Sequence, residues 1–342
     1  MSRSLIVHRV GPGVTVQDQG RPGYLGYGVS RGGAVDRLAL AEGAALLGQP
    51  PSCAALEMPA MGGEFEATED LRIALTGAPM RAALEGTRLT WDASHPLPKG
   101  ARLSIGGAEA GSYGYLHVGG GFDTPLALGA RAVQLAAGLG APVAAGGALP
   151  VGPDPTPHAT GRLLRSEPRC GGGLVRMVPS LQTLVFPEAE RARFEATAFT
   201  RDARGNRMGV RFVPEGAGFH AEAGLSVLSE VIVPGDVQVT GDGTPFVLLA
   251  ECQTTGGYPR IGTVLPADLP RVAQTRPGDV LRFRFVTLED AIAIERKEAV
   301  RRAGLARVLQ PLIRRPEDIR DLLTYQLVDG VTNGDDLERN SA

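Results

Sequence analysis

Residues 246–259 read Phe-Val-Leu-Leu-Ala-Glu-Cys-Gln-Thr-Thr-Gly-Gly-Tyr-Pro, and the prediction of the fold starts from this stretch. Its apolar first part, residues 246–250, predicts a buried strand. Amide and hydroxyl side chains follow at residues 253–255. Gly256 and Gly257 come next, and their backbone freedom lets a ligand approach the main-chain amides. A rigid strand that ends this way is typical of a binding loop. From these residues alone, an ordinary glycine-rich turn is an equal alternative.

The composition favours a mainly β protein with a few helices. The chain has 342 residues, which is enough for two ordinary domains, and 43% of them are hydrophobic, which is enough for a sizeable core. Its 47 glycines and 26 prolines separate short runs of Val, Leu and Ile. This alternation predicts many strands joined by tight turns.

Charge and hydropathy argue against two classes of partner. The 35 basic and 37 acidic residues leave a net charge of −2, so no basic field is available to bind a nucleic-acid backbone. The sequence has no apolar run of about 18 residues or more, so no membrane span is expected. The first eight residues are too few and too polar for a signal peptide and run into a strand pattern. We therefore expect a cytoplasmic location.

The cysteines and histidines are isolated from one another. Cys53, Cys170 and Cys252 lie far apart, and the five histidines form no cluster with them, so we expect neither a metal site nor a disulfide framework. The odd number of cysteines suits a reducing compartment. The usual phosphate-binding loop and dinucleotide fingerprint are also missing, so the chain lacks the common signatures for holding a nucleotide.

Charged side chains follow two predicted strands in the first half. Asp18 and Arg21 come after the β-branched run at residues 14–16. Arg21 can pair with Asp18 on the turn, or it can hold a ligand carboxylate in its planar fork. Glu57 follows an apolar run and is expected to face inward. A buried carboxylate needs a partner, and Arg21 is a candidate for that role.

Local signals predict four helices. Asp36 is a candidate N-cap for a helix that Gly48 ends, and Gly43 in its interior costs about 1 kcal/mol relative to Ala. A polar helix is expected over residues 187–196. Thr287 begins a third helix, which has an acidic first turn and runs to about residue 302. A fourth helix is expected over residues 316–327, with a proline at its first position.

A segment rich in Pro and Gly at residues 138–172 marks the junction between the two halves, which we place near residues 150–172. The predicted domains are residues 1–160, residues 161–290 and a helical C-terminal extension with its tail at residues 291–342.

The two halves also share the same order of features, at residues 56–105 and 229–283. In each half a Leu-Glu or Ser-Glu pair is followed by a Gly, an Asp, a strand and a Lys-Gly or Pro-Gly pair. We interpret this spacing as a duplicated all-β unit whose two copies face each other across a cleft. Coincidence in a glycine-rich chain is the alternative.

Several motifs then occur in an order that resembles a known family. They are residues 16–23 (Val-Gln-Asp-Gln-Gly-Arg-Pro-Gly), 32–36 (Gly-Gly-Ala-Val-Asp), 56–57 (Leu-Glu), 76–78 (Thr-Gly-Ala), 119–121 (Gly-Gly-Gly), 206–211 (Asn-Arg-Met-Gly-Val-Arg), 253–259 (Gln-Thr-Thr-Gly-Gly-Tyr-Pro), 268–269 (Asp-Leu), 273–274 (Ala-Gln) and 277–279 (Pro-Gly-Asp). Over roughly residues 5–290 the chain resembles the family of the C subunit of bacterial 5-oxoprolinase. This family is also called KipA or allophanate-hydrolase-subunit-2-like, and it is labelled biotin-dependent carboxyltransferase. The sequence departs from the usual family pattern at Gly43, at residues 205–206 and at residues 251–252.

The resemblance implies two cyclophilin-like β-barrel domains and a multi-subunit enzyme. The implied partners are the KipI-like B subunit and the A subunit of 5-oxoprolinase. The implied reaction is the ATP-dependent opening of 5-oxoproline to glutamate, with ATP and Mg used by the complex. Two alternatives stay open. One is the carboxyltransferase part of a biotin-dependent urea carboxylase or allophanate system, although this chain has no Met-Lys-Met biotinylation motif. The other is a non-catalytic regulator that binds a KipI-like partner and controls a kinase.

Opening a lactam requires an activated carbonyl, a group that holds the substrate carboxylate and donors for a developing oxyanion. On this hypothesis the arginines hold the carboxylate, and the loop at residues 253–258 binds the carbonyl or phosphoryl oxygens. Acidic side chains act as acid or base. The predicted acid/base groups are Glu57, Asp18 and Glu251; the predicted substrate-binding residues are Arg21, Arg207, Gln253, Thr254, Thr255, Gly256, Gly257 and Tyr258. Cys252 is not expected to be a nucleophile, because no histidine is near it in the sequence.

Overall fold

The computed structural model describes residues 3–221 and 227–313. The mainly β class is confirmed, with four α-helices in this part of the chain. The helices are α1 Arg37–Leu47, α2 Glu188–Ala196, α3 Leu269–Ala273 and α4 Leu288–Ala303. The strands are β1 Ser4–Val10, β2 Thr15–Gln17, β3 Ala55–Pro59, β4 Met61–Ala67, β5 Leu71–Gly77, β6 Met80–Leu84, β7 Thr87–Arg88, β8 Ala93–Leu97, β9 Arg102–Ala108, β10 Tyr113–Val118, β11 Ala148–Pro150, β12 Arg162–Leu163, β13 Gly172–Val178, β14 Phe199–Asn206, β15 Gly209–Pro214, β16 Glu230–Val231, β17 Asp236–Val239, β18 Pro245–Leu248, β19 Thr255–Gly256, β20 Arg260–Val264, β21 Val280–Phe285 and β22 Gln310–Pro311.

The first half consists of two sheets that share one core. The six-stranded sheet has the order β11-β1-β4-β9-β6-β7, and the seven-stranded sheet has the order β2-β3-β10-β5-β8-β12-β22. Leu5 and Phe65 of the first sheet are fully buried in the same cluster as Ile73 and Leu116 of the second. Burial of these alternating side chains is what holds the two sheets together.

The second half is a closed barrel. Its strand order is β13-β20-β17-β18-β15-β14-β21, and β13 and β21 pair in parallel. An aromatic cluster fills one end, where the ring of Phe194 from α2 lies 4.7 Å from that of Phe199 and 5.3 Å from that of Phe283. The predicted polar helix at residues 187–196 is confirmed, and α2 packs on the barrel through this buried phenylalanine and through Glu195, which accepts from the Phe285 N–H.

The predicted repeat does not correspond to equivalent strands. β9 pairs antiparallel with both of its neighbours, whereas β21, its proposed counterpart, pairs in parallel with β13. β3 lies inside a sheet, whereas its counterpart β16 belongs, among the described residues, to a separate two-stranded ribbon with β19. The two halves therefore differ in topology.

Helix α1 begins and ends where the sequence predicts. Asp36 accepts a hydrogen bond from the Ala39 N–H, and Gly48 ends the helix in the left-handed region with φ 60°. Gly43 has a packing reason, since a Cβ atom there would collide with three ring atoms of His117 in β10. The glycine therefore allows α1 to lie directly on the seven-stranded sheet.

The C-terminal part of the described chain returns to the first half. Thr287 caps α4 through the Asp290 N–H, as predicted. After α4, β22 pairs with β12, which in turn pairs with β8 of the seven-stranded sheet. β12 therefore belongs to the first half and β13 to the barrel of the second half. The exact domain bounds stay a prediction. The helix predicted over residues 316–327 lies outside the described residues. Within the described part of the chain, no helix is both long and apolar enough to cross a membrane.

Candidate functional site

A buried arginine joins the two halves of the molecule. Arg207 lies in the turn between β14 and β15 and is only 8% exposed. Its Nε donates to Glu251 Oε1 at 2.7 Å, and its two terminal nitrogens donate to Glu57 and to the Gly33 carbonyl. Burial works to lower the pKa of Arg207, but the two carboxylates outweigh burial and raise that pKa above its usual range. The guanidinium is therefore fixed as a cation between two acidic side chains.

Glu57 lies on β3 at the centre of this cluster and has no exposed surface. Its Oε2 accepts hydrogen bonds from the Val35 N–H at 2.9 Å and from the Tyr115 hydroxyl at 2.6 Å, while its Oε1 faces Arg207. Burial and the adjacent Glu57 charge hold the pKa of Tyr115 well above its usual range, so that hydroxyl stays a donor. The sequence prediction that Arg21 would neutralise Glu57 is wrong, because Arg207 is its partner.

A second polar network connects the halves beside the first. Gln274 is fully buried, and its Oε1 accepts from the Ser112 and Tyr113 N–H groups while its Nε2 donates to Asp36 at 2.8 Å. Arg169 donates to the same Asp36 and, through two nitrogens, to Glu42. Burial raises the pKa of Glu42 to about 7, and Arg169 opposes that shift. The two halves are therefore joined by buried charges and amides as well as by apolar contacts.

A cavity of about 380 Å³ opens beside Glu251. It lies between the start of the loop at residues 253–258 and two segments of the first half. Its lining residues are Gly28, Ser30, Gln134, Ala136, Ala137, Met208, Glu251, Cys252, Gln253, Thr254 and Thr255. A second cavity, of about 340 Å³, shares Met208, Cys252 and Gln253 with it. The structure thus brings Glu251 and the first three residues of the predicted loop together on one wall of an inter-domain cleft.

The rest of the predicted loop lies elsewhere. Thr255 and Gly256 form β19, in which Gly256 pairs with Glu230 of β16. The Gly257 carbonyl accepts from the Val227 N–H, and the Tyr258 side chain is 46% exposed. Gly256, Gly257 and Tyr258 are not among the cavity's lining residues, so the ribbon supports the loop while Gln253, Thr254 and Thr255 line the cleft. Their roles in substrate binding stay predictions.

Asp18 and Arg21 support the cleft from the first half. Asp18 accepts from the Gly20 and Arg131 N–H groups at 2.8 and 2.6 Å. Arg21 is 1% exposed and donates to Gln134 Oε1 at 2.9 Å and to two carbonyl oxygens of residues 127 and 132. The two side chains do not form the predicted ion pair. Both hold the segment at residues 127–134, which supplies Gln134 to the cavity wall.

The polar atoms of four predicted site residues already have protein partners: Arg21, Arg207, Glu57 and Asp18. It stays a prediction that the two arginines bind a substrate carboxylate. It also stays a prediction that Glu57 and Asp18 act as acid or base. Glu251 is the predicted acid/base group that also lines the cavity.

Cys252 is a buried thiol beside Asp236. Burial raises its pKa to about 12, with a further contribution from that carboxylate. Cys252 therefore stays protonated near neutral pH, in agreement with the expectation that it is not a nucleophile.

Sequence reasoning missed Ser30, Gln134 and Tyr115. Gln134 Nε2 donates to Ser30 Oγ at 2.8 Å, so the two residues form one polar wall of the cavity. Neither residue belongs to one of the quoted motifs, and only the tertiary structure brings them together over 104 positions. Among the described residues, no group of three or more His, Cys, Asp or Glu side chains has the arrangement of a metal site.

The family model and the similar curated proteins point to the same family. The family model described as carboxyltransferase domain, subdomain A and B, matches residues 27–285. The chain is 34% identical to the C subunit of 5-oxoprolinase from Haemophilus influenzae, covering 84% of this chain and 92% of that protein. It is 32% identical to the identically named protein from Escherichia coli, covering 84% and 93% of the two chains.

Solved structures agree with the fold. The crystal structure of TTHA0988 matches 83% of this chain with a TM-score of 0.75 and 31% identity, and the match spans 56% of that longer chain. The Kluyveromyces lactis urea carboxylase matches 92% of this chain and 31% of its own length, with a TM-score of 0.78 and 22% identity. At that identity the second likeness concerns the fold alone.

Proposed function

Because the chain belongs to the carboxyltransferase-domain family with subdomains A and B, we propose that it is one component of an ATP-dependent 5-oxoprolinase complex. The complex would hydrolyse 5-oxo-L-proline to L-glutamate. Support comes from two 5-oxoprolinase subunits that are 34% and 32% identical to this chain and that it matches over nine-tenths of their length.

The observation that carries the proposal is the position of Glu251. Its carboxylate lines the cleft and is held at 2.7 Å by Arg207, which Glu57 fixes from the other half. Gln253, Thr254 and Thr255 lie on the same wall and offer an amide and two hydroxyl groups. A fixed carboxylate beside several neutral donors suits the hydrolysis of a small, polar amide.

In this proposal each group has a chemical task. The Gln253 amide and the two threonine hydroxyls donate to the substrate carboxylate and to the oxygen of the lactam carbonyl. Glu251 takes a proton from the attacking water as the new C–O bond forms. It returns that proton to the ring nitrogen as the C–N bond breaks. Glu57 acts through Arg207 and is a positioning residue.

Among the described residues there is no cluster of three candidate metal ligands, and the sequence has no phosphate-binding loop. We therefore propose that the complex as a whole uses ATP and Mg, and we assign no residue of this chain to binding them. The proposed partners are a KipI-like B subunit and an A subunit.

Reconstitution tests the proposal. The chain is incubated with 5-oxoproline, ATP and Mg, alone and together with both partner proteins, and glutamate is measured. We expect glutamate only in the full mixture. Gln253→Ala should lower turnover about 10-fold or more, whereas Gln19→Ala, a glutamine outside the cleft, should leave it unchanged. If the Gln253 variant kept full turnover, the assignment of the cleft as the substrate site would be incorrect.

Carboxyl transfer is the second candidate, because the matching family model is described as a carboxyltransferase domain and a putative urea carboxylase of Emericella nidulans is 26% identical to this chain. In that case biotin, carried by another protein, would be required. Turnover of 5-oxoproline that is unaffected by avidin would favour hydrolysis. Binding to the KipI-like partner with no turnover in any mixture would favour a regulator.

A further inference from the structure

A third cavity, which lies between the two halves, has two arginines in its wall. It has a volume of about 120 Å³ and lies between the start of α1, the end of α4 and the loop that follows β20. Arg37 of α1 and Arg302 of α4 contribute the charged part of its wall, and Pro234, Leu249, Pro266 and Leu269 contribute much of the apolar part. Within the described chain it shares no lining residue with the cleft beside Glu251, so it is a separate site.

Arg37 lacks a counter-charge within the described residues. Its guanidinium makes one hydrogen bond, from NH2 to the Gly32 carbonyl at 3.2 Å, and no carboxylate of that part of the chain lies within ion-pair distance. Burial lowers its pKa to about 10, and the positive charges of Arg31 and Arg302 add to this shift. A largely buried cation beside other cations is costly unless an anion joins it.

The two terminal nitrogens of Arg302 have no carboxylate partner among the described residues. Its Nε donates to Glu298 Oε1 at 2.7 Å. The same Glu298 carboxylate is also bonded to Arg301 through two nitrogens. The Glu167 and Glu42 carboxylates also lie near Arg301, so its charge is compensated. Arg37 and Arg302 line the cavity, and their guanidinium groups leave positive charge at its wall.

We propose that this cavity binds a small carboxylate that has a short apolar body. The carboxylate would lie between Arg37 and Arg302, in the geometry that guanidinium groups favour. The apolar body would contact the leucine and proline walls, and the volume of about 120 Å³ limits its length. The inference does not depend on the proposed oxoprolinase activity.

The site lies behind the ionic cluster of the cleft. Val35 lines the cavity and its N–H donates to Glu57, while Ala250 lines the cavity and directly precedes Glu251. A bound carboxylate would therefore contact one residue that donates a hydrogen bond to Glu57 and one residue that directly precedes Glu251.

Thermal unfolding of the full chain, without partners, tests the proposal with butyrate as the probe. Sodium butyrate, phosphate and chloride are compared at equal ionic strength. We expect butyrate to raise the unfolding midpoint more than phosphate or chloride does. Arg37→Met and Arg302→Met should each weaken butyrate binding about tenfold or more, because each removes a charged hydrogen-bond donor. Arg81→Met, an exposed arginine on β6, is the matched control and should bind as the wild type does.

A second measurement separates binding from structure. Without butyrate, Arg37→Met should raise the unfolding midpoint, because it replaces a buried, uncompensated charge by an apolar side chain. If the midpoint of the wild type were insensitive to butyrate, or if both arginine variants kept the wild-type response, the proposal would be overturned. A phosphate effect as large as that of butyrate would overturn the assignment of an apolar body. Because no turnover is measured, failure here is distinct from failure of the oxoprolinase proposal.

Discussion

Arg207 of the barrel and Glu57 of the first half form an ion pair across the interface between the two halves, over 150 positions of sequence. The same guanidinium holds Glu251 at 2.7 Å on the wall of the cleft. One side chain therefore links the association of the two halves to the geometry of the candidate site.

Replacing this arginine should destabilise the whole chain. Arg207→Met leaves the Glu57 and Glu251 carboxylates buried without a cation, and loss of one member of a buried ionic cluster costs about 3–5 kcal/mol. The free energy of unfolding in urea measures this loss. The double variant Glu57→Gln with Arg207→Met removes one of the stranded charges and should recover part of the stability. Equal stability of the wild type and Arg207→Met would contradict the assigned cluster.

Replacing Glu251 should affect catalysis more than stability. Glu251→Gln keeps a carbonyl oxygen that can accept from Arg207 Nε but cannot act as a base, so kcat of the reconstituted complex should fall about 10²-fold or more. Glu57→Gln is the matched control, because it changes the other partner of Arg207 without reaching the cleft. We expect Glu57→Gln to lower the free energy of unfolding and to reduce kcat less than Glu251→Gln does. The acid/base role is refuted if the Glu251 variant turns over at the wild-type rate.

Gly43→Ala should destabilise the protein although alanine favours a helix. The added Cβ atom would collide with the buried His117 ring, and overpacking of this kind costs about 1–3 kcal/mol. That cost exceeds the gain in helix propensity of about 1 kcal/mol. Urea unfolding of the single variant and of Gly43→Ala with His117→Ala measures the effect. In the double variant the alanine at position 43 should no longer be harmful, and an unchanged penalty there would point to a cause other than the ring.

His117 should make the protein sensitive to acid. Burial lowers its pKa to about 3, and its Nε2 lies 2.8 Å from Thr76 Oγ1, whose hydroxyl donates to the Ala39 carbonyl. The unfolded histidine titrates near 6.5, so between these values the unfolded state binds the extra proton. The stabilising contribution is complete above about pH 6.5 and is lost as the pH falls. The loss is roughly 1.4 kcal/mol for each pH unit below that value.

The measurement is the difference in unfolding free energy between the wild type and His117→Asn at several pH values from about 7.5 to about 4.5, the range in which the unfolded histidine gains its proton. A difference is needed because the raised pKa of Glu42 acts in the opposite direction, stabilising the fold at low pH and losing that contribution as the pH rises through about 7. A flat curve for His117→Asn would contradict a buried neutral imidazole.

Much of the local structure could be read from the sequence. The caps Asp36 and Thr287 and the stop at Gly48 bound α1 and α4 where predicted, because a cap acts on backbone groups within three or four residues. The strand leading to Glu251 and the polar loop that follows it were also predicted, since a continuous apolar run and a high glycine content are local properties. The order of the motifs sufficed to indicate the family.

The choice of partners depended on the tertiary structure. Nothing local indicated that Glu57 would pair with Arg207 instead of Arg21, or that Gln274 would bond to Asp36 over 238 positions. The repeat prediction was wrong for the same reason, because similar spacing along the chain does not specify which strands pair.

The sequence by itself therefore determined the mainly β class, the helix ends and a polar loop that ends a buried strand. Only the tertiary structure decided that Glu251, Gln253 and Thr254 face the cleft while Gly256 joins a strand ribbon and Tyr258 points to solvent. The physical reason is the separation along the sequence over which each kind of interaction acts. Propensity, capping and turn chemistry act between near neighbours in sequence, whereas a buried charge is stabilised by whichever opposite charge the packed fold brings within hydrogen-bond distance.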